Sequence, residues 1–204
     1  MPRLGGQLSS LLIGSFEERK MKRGFDLLFA IAGLVFAAPL LAVLALLIRL
    51  GSPGPAIFRQ VRVGRDGKPF VCLKLRTMFR ETTELPTHLN SVDCITPIGK
   101  RLRRWKLDEL PQLWNVLVGD MSLVGPRPCL PSQVELIEER RKRRVLALRP
   151  GITGLAQIYG VDMSDPAALA RIDAAYMGRA DLCRDLGILL GTISSRALAD
   201  RTGQ

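Results

Sequence analysis

The chain has 204 residues, of which 47% are hydrophobic and 24% are charged, a composition that excludes a disordered polyelectrolyte and a repetitive fibre. Thirty lysines and arginines against nineteen acids give a formal net charge of +11, which favours nucleic acid, anionic lipid or phosphorylated small molecules as partners. The four cysteines form no CxxC pair and His88 is the single histidine, so we expect reduced thiols in a cytoplasmic domain and no zinc site.

A run without a charged residue covers residues 27–48, and about 20 such residues cross the hydrocarbon core of a bilayer. The run is too long for a cleaved signal peptide. Asp26 precedes it and is expected to cap the helix or to pair with a base. Pro39 removes one helix hydrogen bond and predicts a kink. The basic flanks, which the positive-inside rule places in the cytoplasm, lie on both sides: Lys20, Lys22 and Arg23 before it, and Arg49, Arg59, Arg62 and Arg65 after it.

Two interpretations of this segment stay open. One is an ordinary kinked span, because proline is tolerated in transmembrane helices. The other is a bent helix that enters the membrane and returns to the same side, which the cationic flanks at both ends slightly favour.

Next come two strand-like runs, residues 57–63 and 69–76, and the Asp-Gly step between them predicts a hairpin turn. In the second run Val71, Leu73 and Leu75 alternate with Cys72, Lys74 and Arg76. One face is therefore expected to be apolar and the other to offer two cations, either as a solvated face or as a phosphate-binding one. Residues 80–98, which include His88, are predicted to form a loop.

A cationic segment, residues 99–106, precedes a predicted amphipathic helix over residues 107–117, with Pro111 in its first turn. Asp108 and Glu109 are then expected at the amino end of this helix, where unpaired N–H groups and the helix dipole favour anions. The two acids either cap the helix or belong to a phosphate site, and the dense cations before them favour the second interpretation.

Two arginines lie next to prolines: Arg127 between Pro126 and Pro128, and Arg149 before Pro150. Proline fixes its own φ and restricts the residue before it, so each guanidinium has a stiff support. Guanidinium groups bind phosphate oxygens in a bidentate manner. The alternative is a rigid turn whose arginine faces water.

Two further helices are predicted. Residues 134–148 include the block 140–144, which is entirely basic; it is a solvated face or, near a membrane, a contact to lipid headgroups. In the last segment an apolar stripe has helical spacing, and core packing is favoured over an interfacial face. The stripe consists of Leu182, Leu186, Leu189, Leu190, Ile193 and Ala197.

In this order, several motifs between residues 22 and 193 resemble those of the small monotopic phosphoglycosyl transferases, also called bacterial sugar transferases. They are Lys22-Arg23 with Asp26, Lys74-Leu75-Arg76-Thr77-Met78, Leu107-Asp108-Glu109-Leu110-Pro111-Gln112, residues 119–128 (GDMSLVGPRP) and residues 149–154 (RPGITG).

The resemblance implies an α+β monotopic membrane protein. It would have one re-entrant helix kinked at Pro39, a small β-hairpin and a compact, mostly helical cytoplasmic catalytic domain with amphipathic interfacial helices. The implied organisation is an extension over residues 1–21, the membrane helix over 22–50 and the catalytic domain over 51–204. The expected location is the cytoplasmic face of a bacterial inner membrane.

The implied reaction is transfer of a phosphosugar from a UDP-sugar to a polyprenol phosphate such as undecaprenyl phosphate, with Mg²⁺ and with release of UMP. Asp108 matches the nucleophile, which forms an aspartyl phosphosugar and is also the expected metal ligand, and Glu109 matches its acidic partner. The expected phosphate-binding residues are Lys74, Arg103, Arg127 and Arg149.

Two other functions compete with this one. The first is a membrane-tethered basic adaptor that binds anionic lipid or nucleic acid without catalysis, although 5% aromatic residues disfavour single-strand stacking. The second is a scaffolding subunit whose acids merely cap a helix. Nucleic acid is not expected as a partner, and a homo-oligomer stays open.

Overall fold

The computed structural model describes residues 4–79, 94–177 and 181–202, so His88 and most of the predicted 80–98 loop lie outside the described residues. Helix α1 (Leu4–Gly51) has 48 residues and includes Pro39, which gives it a length of about 70 Å at about 1.5 Å per residue. Asp26 therefore lies inside the helix and does not cap it.

Within the described residues, the stretch Lys20–Gly51 of α1 is long and apolar enough to cross a membrane, as judged by length and composition. Only 17% of its most apolar window is buried, unlike the core helix of a soluble protein. Phe36 is 83% exposed. Other large apolar side chains exposed along the helix include Leu28, Phe29, Ile31, Val35, Leu40, Val43, Leu46, Leu47 and Leu50.

The predicted hairpin is confirmed. Strands β1 (Ile57–Val63) and β2 (Pro69–Leu75) pair antiparallel, with Gln60 opposite Cys72. In the connection Asp66 and Gly67 have φ values of 57° and 75°, the left-handed conformation that an Asp-Gly step adopts readily.

The sequence divides β2 into an apolar face and a cationic face, and each face is buried in part. Cys72 is 1% exposed and Arg76, just past the strand, is 7% exposed; on the other face Leu75 is 2% exposed and Val71 is 45% exposed. The Arg76 guanidinium donates to the carbonyls of Ile48, Ser52 and Pro53 at the end of α1.

The rest of the described chain forms helices of 4 to 21 residues around a second, two-stranded sheet. Strands β3 (Ser122–Val124) and β4 (Gly151–Thr153) pair parallel. The helices are α2 (Pro97–Arg104), α3 (Gln112–Val118), α4 (Val134–Lys142), α5 (Leu155–Ile158), α6 (Pro166–Met177) and α7 (Leu182–Thr202).

Two predicted helices are shorter than expected. The helix predicted over residues 107–117 is divided into a 3₁₀ turn, Leu107–Glu109, and α3, with Pro111 at the N-cap position. The helix predicted over residues 134–148 ends at Lys142, because Arg144 has a φ of 60°, a left-handed conformation that cannot continue an α-helix.

The β3–β4 pairing brings the two proline-arginine segments side by side. Gly125 N donates to Thr153 O and Gly151 N donates to Pro126 O, both at 2.9 Å. A Cβ on Gly151 would lie 2.1 Å from Gly125 N, so this close backbone approach requires glycine.

Helix α1 is tied to the rest of the molecule by the residues that precede its apolar run. Lys22 pairs with buried Asp185 of α7, and Arg23 donates to the carbonyls of Val116 and Leu117 at the end of α3. Asp26, 2% exposed, accepts from the backbone N–H of Leu123 at 3.1 Å; it therefore binds strand β3.

Helix α7 is confirmed, but the predicted core stripe is only partly correct. Ile188 is 3% exposed and Leu189 packs against the same cluster, while Leu186 and Leu190 are 44% and 64% exposed. The basic block also has two environments, since Arg140 is 3% exposed whereas Arg141 is exposed on the surface of α4. Cys72 and Cys129 are buried, whereas Cys183 is exposed.

Candidate active site

Three separate parts of the chain meet at one carboxylate oxygen, Oε1 of Glu109. Lys74 Nζ donates to it at 2.9 Å from strand β2, and Arg127 Nη2 donates at 2.7 Å from the loop after β3. The structure therefore brings together three of the predicted site residues.

The 3₁₀ turn positions both acids. Lys106 has a φ of 51°, which reverses the chain after α2, and the following turn places Asp108 and Glu109 at 8% exposure each. The acids precede α3 and do not lie in its first turn, so the interpretation that they simply cap this helix is wrong.

Glu109 is held in its ionised form. Burial alone would raise the pKa of Glu109, but the adjacent Arg127 and Lys74 hold it well below the ordinary value of 4.5. Because both cations donate hydrogen bonds to this carboxylate, Glu109 keeps the two of them in fixed positions.

Asp108 has a different environment. No ion pair joins its carboxylate to any side chain of residues 4–79, 94–177 or 181–202. Burial and the negative charge of Glu109 raise the pKa of Asp108 above its ordinary 3.8, and Lys74 and Arg103 oppose this rise. The two neighbouring acids thus have separate roles: one anchors cations, and the other keeps its lone pairs available.

Arg103 approaches the acids from α2. Its Nε donates to Thr77 Oγ1 at 2.9 Å, and burial lowers its pKa while Asp108 acts in the opposite direction. Gly99 of the same helix packs directly on Thr77, because a Cβ there would lie 2.1 Å from Thr77 O. This contact fixes the distance between α2 and the end of the hairpin.

Arg149 lies at the other end of α3. Its Nε donates to Gly119 O at 2.9 Å, next to the residues that Arg23 caps. Burial and the charges of Arg23 and Arg65 lower the pKa of Arg149. Since Asp108 and Glu109 precede α3 and Gly119 follows it, the described contacts of Arg149 support the helix end, and its predicted role in phosphate binding stays a prediction.

Sequence reasoning missed Asn115, which fixes α3 to the hairpin. Its Nδ2 donates to Val71 O at 2.7 Å, and its Oδ1 accepts from Leu73 N at 3.0 Å. Asn115 is 2% exposed. An asparagine inside a short apolar helix is unfavourable on its own, and this was the available signal.

Arg62 supports the site, a role that its position in the basic membrane flank does not indicate. It donates to Gln60 Oε1 through Nε at 3.0 Å and through Nη2 at 2.6 Å, and its Nη1 donates to Pro128 O at 3.0 Å. It thereby holds the residue that follows Arg127.

Among the described residues, no group of three or more histidine, cysteine, aspartate or glutamate side chains could enclose a metal ion. Mg²⁺ does not require such a cage, because it commonly binds one or two carboxylates together with substrate phosphates and water. Asp108 has a carboxylate without an ion pair to any described residue, as this arrangement needs, so the residues present fit Mg²⁺ held jointly with a phosphorylated substrate.

An unpaired buried carboxylate beside several fixed cations is suited to chemistry on a phosphate. The cations would neutralise phosphate oxygens, and the carboxylate would be available as a nucleophile. Together with a helix that is long and apolar enough to cross a membrane, this arrangement is typical of a membrane-associated phosphotransfer enzyme.

Comparison with known proteins identifies the family. Residues 17–198 match the family described as "Bacterial sugar transferase", and the chain belongs to it. It is 42% identical over 190 residues to a UDP-glucose:undecaprenyl-phosphate glucose-1-phosphate transferase of Caulobacter vibrioides, covering 88% of this chain and 70% of that protein.

Two other relatives agree with this assignment. The chain is 41% identical over 191 residues to the exopolysaccharide production protein PSS of Rhizobium leguminosarum bv. phaseoli, covering 86% of this chain and 94% of the relative. It is 37% identical over 191 residues to an undecaprenyl-phosphate galactose phosphotransferase of Salmonella typhimurium, covering 85% of this chain and 40% of that protein.

Proposed function

We propose that this protein is an undecaprenyl-phosphate sugar phosphotransferase that takes a sugar-1-phosphate from a UDP-sugar. The observation that carries the proposal is the unequal environment of the two acids: Glu109 is bound by Lys74 and Arg127, whereas Asp108 is buried without an ion pair among the described residues. The names of the relatives support the same reaction class.

In the first step an Asp108 carboxylate oxygen attacks the phosphorus that bears the sugar. An O–P bond forms to Asp108, the phosphoanhydride bond breaks, and UMP leaves with the electron pair. In the second step a phosphate oxygen of undecaprenyl phosphate attacks the same phosphorus. The Asp108–phosphorus bond breaks, the carboxylate is regenerated, and a polyprenyl diphosphate sugar is released.

The cations make the first step electrostatically possible. A carboxylate and a diphosphate repel each other, and fixed donors near the transferred phosphate offset this repulsion without reorganisation. Arg127 and Lys74 each use one donor contact on Glu109 and retain others for phosphate oxygens. Mg²⁺ bound through Asp108 and the donor's phosphates would supply further positive charge.

A covalent intermediate suits a small site at a membrane. The nucleotide sugar and the lipid phosphate use the same pocket in turn, so one compact site serves a soluble donor and an insoluble acceptor. The exposed apolar surface of α1, including Phe36 at 83% exposure, supports a location at the bilayer surface. We place the catalytic domain at the cytoplasmic face of the inner membrane, with α1 re-entering at Pro39.

The test uses purified protein with undecaprenyl phosphate, Mg²⁺ and a panel of UDP-sugars that begins with UDP-glucose. The expected result is release of UMP with one donor, no release by Asp108→Asn, and unchanged release by the exposed control Glu138→Gln. UMP release by Asp108→Asn would refute the assigned nucleophile. Salt-sensitive binding to anionic lipid or nucleic acid, without consumption of any UDP-sugar, would favour the adaptor function instead.

A further inference from the structure

The backbone of Arg127 is fixed by a buried ion pair formed by Arg140 of α4 and Asp173 of α6. Arg140 Nε and Nη2 donate to Asp173 Oδ2 at 3.0 and 2.8 Å. Both residues are 3% exposed. The remaining terminal nitrogen, Arg140 Nη1, donates to the main-chain carbonyl of Arg127 at 2.9 Å.

Stability alone is a weak reason for such a pair. Desolvation of two charges offsets most of their attraction, and well-packed apolar residues of similar volume are often as stable or more so. What an apolar pair cannot supply is a hydrogen-bond donor directed at the carbonyl of Arg127. The arrangement therefore points to a role in geometry.

The main chain around Arg127 is held by its neighbouring prolines and by two other arginines. Pro128 excludes Arg127 from the helical region and Pro126 fixes its own φ just before it. Arg62 donates to the carbonyl of Pro128 at 3.0 Å, and Arg140 donates to the carbonyl of Arg127 itself. The guanidinium that extends from this backbone lies 2.7 Å from Glu109 Oε1. A shift of the backbone would move the guanidinium relative to the acids.

We propose that Arg140 and Asp173 are positioning residues for phosphosugar transfer, which act through Arg127 by fixing its main chain. This inference rests on the proposed function. Neither residue contacts the acids in the described hydrogen bonds, and Asp173 lies 46 residues after Arg127 in the sequence, so the effect is transmitted through packing of α6 against α4.

The test is the double variant Arg140→Met with Asp173→Leu in the full-length protein. It removes both charges together, because a single substitution would leave the other charge buried and uncompensated. We expect a melting temperature close to that of the wild type and a kcat reduced about ten-fold or more, because small displacements of a catalytic group are costly. The KM for the UDP-sugar should change less than about three-fold.

The control is Arg141→Met, which removes the neighbouring arginine of α4, whose side chain is 60% exposed and pairs with Glu138; its kcat should equal that of the wild type. A double variant that keeps the wild-type kcat would overturn the inference. If the double variant does not fold, Arg140→Lys replaces it. Lysine keeps a charge opposite Asp173 but lacks the planar fork whose separate nitrogens reach Asp173 and the Arg127 carbonyl, so the same loss of kcat is expected, and a wild-type kcat overturns the inference.

A second measurement separates positioning from general destabilisation. In an Arg127→Met background, the double substitution Arg140→Met with Asp173→Leu should lower kcat no further, since the guanidinium that the ion pair positions is absent. If the double substitution lowers kcat by the same factor with and without Arg127, the inference is overturned. If the wild-type protein transfers no phosphosugar at all, the proposed function fails; if it does and the double variant matches it, only the positioning role fails.

Discussion

Arg127 Nη2 lies 2.7 Å from Oε1 of Glu109, the oxygen that also accepts from Lys74. Glu109 therefore binds two cations, whereas the adjacent Asp108, which is equally buried, binds neither. Asp108 has a pKa raised above its ordinary 3.8 and no ion pair with a described residue. In the proposed reaction it is therefore the reactive acid, and Glu109 is the one that holds the cations.

The first prediction concerns the stability that Glu109 provides. Glu109→Gln leaves Lys74 and Arg127 without a carboxylate and should lower the free energy of unfolding by about 1 to 3 kcal/mol, the usual range for hydrogen bonds to charged groups. Thermal unfolding in detergent measures it. The exposed control Glu138→Gln should change stability by less than about 0.5 kcal/mol.

The same ion pairs predict a pH dependence. Because the pKa of folded Glu109 is below its ordinary 4.5, the stabilisation is complete above that pH and is lost as the pH falls through the folded pKa. The wild type should therefore be more stable than Glu109→Gln at neutral pH, and this difference in the free energy of unfolding should decrease only below about pH 4.5. A difference that stays constant down to pH 3 would contradict the ion pairing of Glu109.

Another prediction concerns Asp108 and activity. Its raised pKa places the acid limb of kcat/KM above 3.8, since only the ionised carboxylate attacks phosphorus. Arg103 lowers the pKa of Asp108, so Arg103→Met should move that limb to higher pH, in addition to any loss of amplitude. A pH-rate profile with the donor sugar measures the shift, and an unmoved limb would show that Arg103 does not act on Asp108.

Asn115 gives a prediction about assembly of the site. Asn115→Leu leaves Leu73 N and Val71 O without the partner on α3, and should cost about 2 kcal/mol of stability. It should also reduce turnover, because α3 follows the turn that holds the acids. The control on the same helix is Val118→Ala, at a residue 53% exposed, and equal unfolding temperatures for the two variants would contradict the role of Asn115.

Topology is tested with single cysteines on either side of the apolar run. In a Cys183→Ser background, which removes the exposed native thiol, Lys20→Cys and Gly51→Cys should both resist a membrane-impermeant maleimide in intact spheroplasts and react after lysis. This outcome follows if α1 re-enters. Labelling of Lys20→Cys alone in intact spheroplasts would show that the helix crosses the membrane.

Features set by local chain chemistry could be predicted from the sequence. The Asp66-Gly67 turn and the stiff backbone around Arg127 depend on the φ preferences of the residues concerned. The burial of β2 could not be predicted, because Cys72 and Leu75 lie on opposite faces and are both buried, and only tertiary packing decides which residues are covered. Likewise, nothing local distinguishes Arg140 from Arg141, since the partner of Arg140 lies 33 residues away on α6.

The central claim is that Asp108 carries the sugar phosphate between the two substrates. Incubation of the purified protein with the UDP-sugar and Mg²⁺ alone, followed by rapid acid quenching and intact-mass and peptide mass spectrometry, tests it directly. A mass increase equal to one sugar phosphate, located on Asp108 and removed by undecaprenyl phosphate, is the predicted result. Normal turnover by a protein that never carries this adduct, or an adduct on another residue, would contradict the claim.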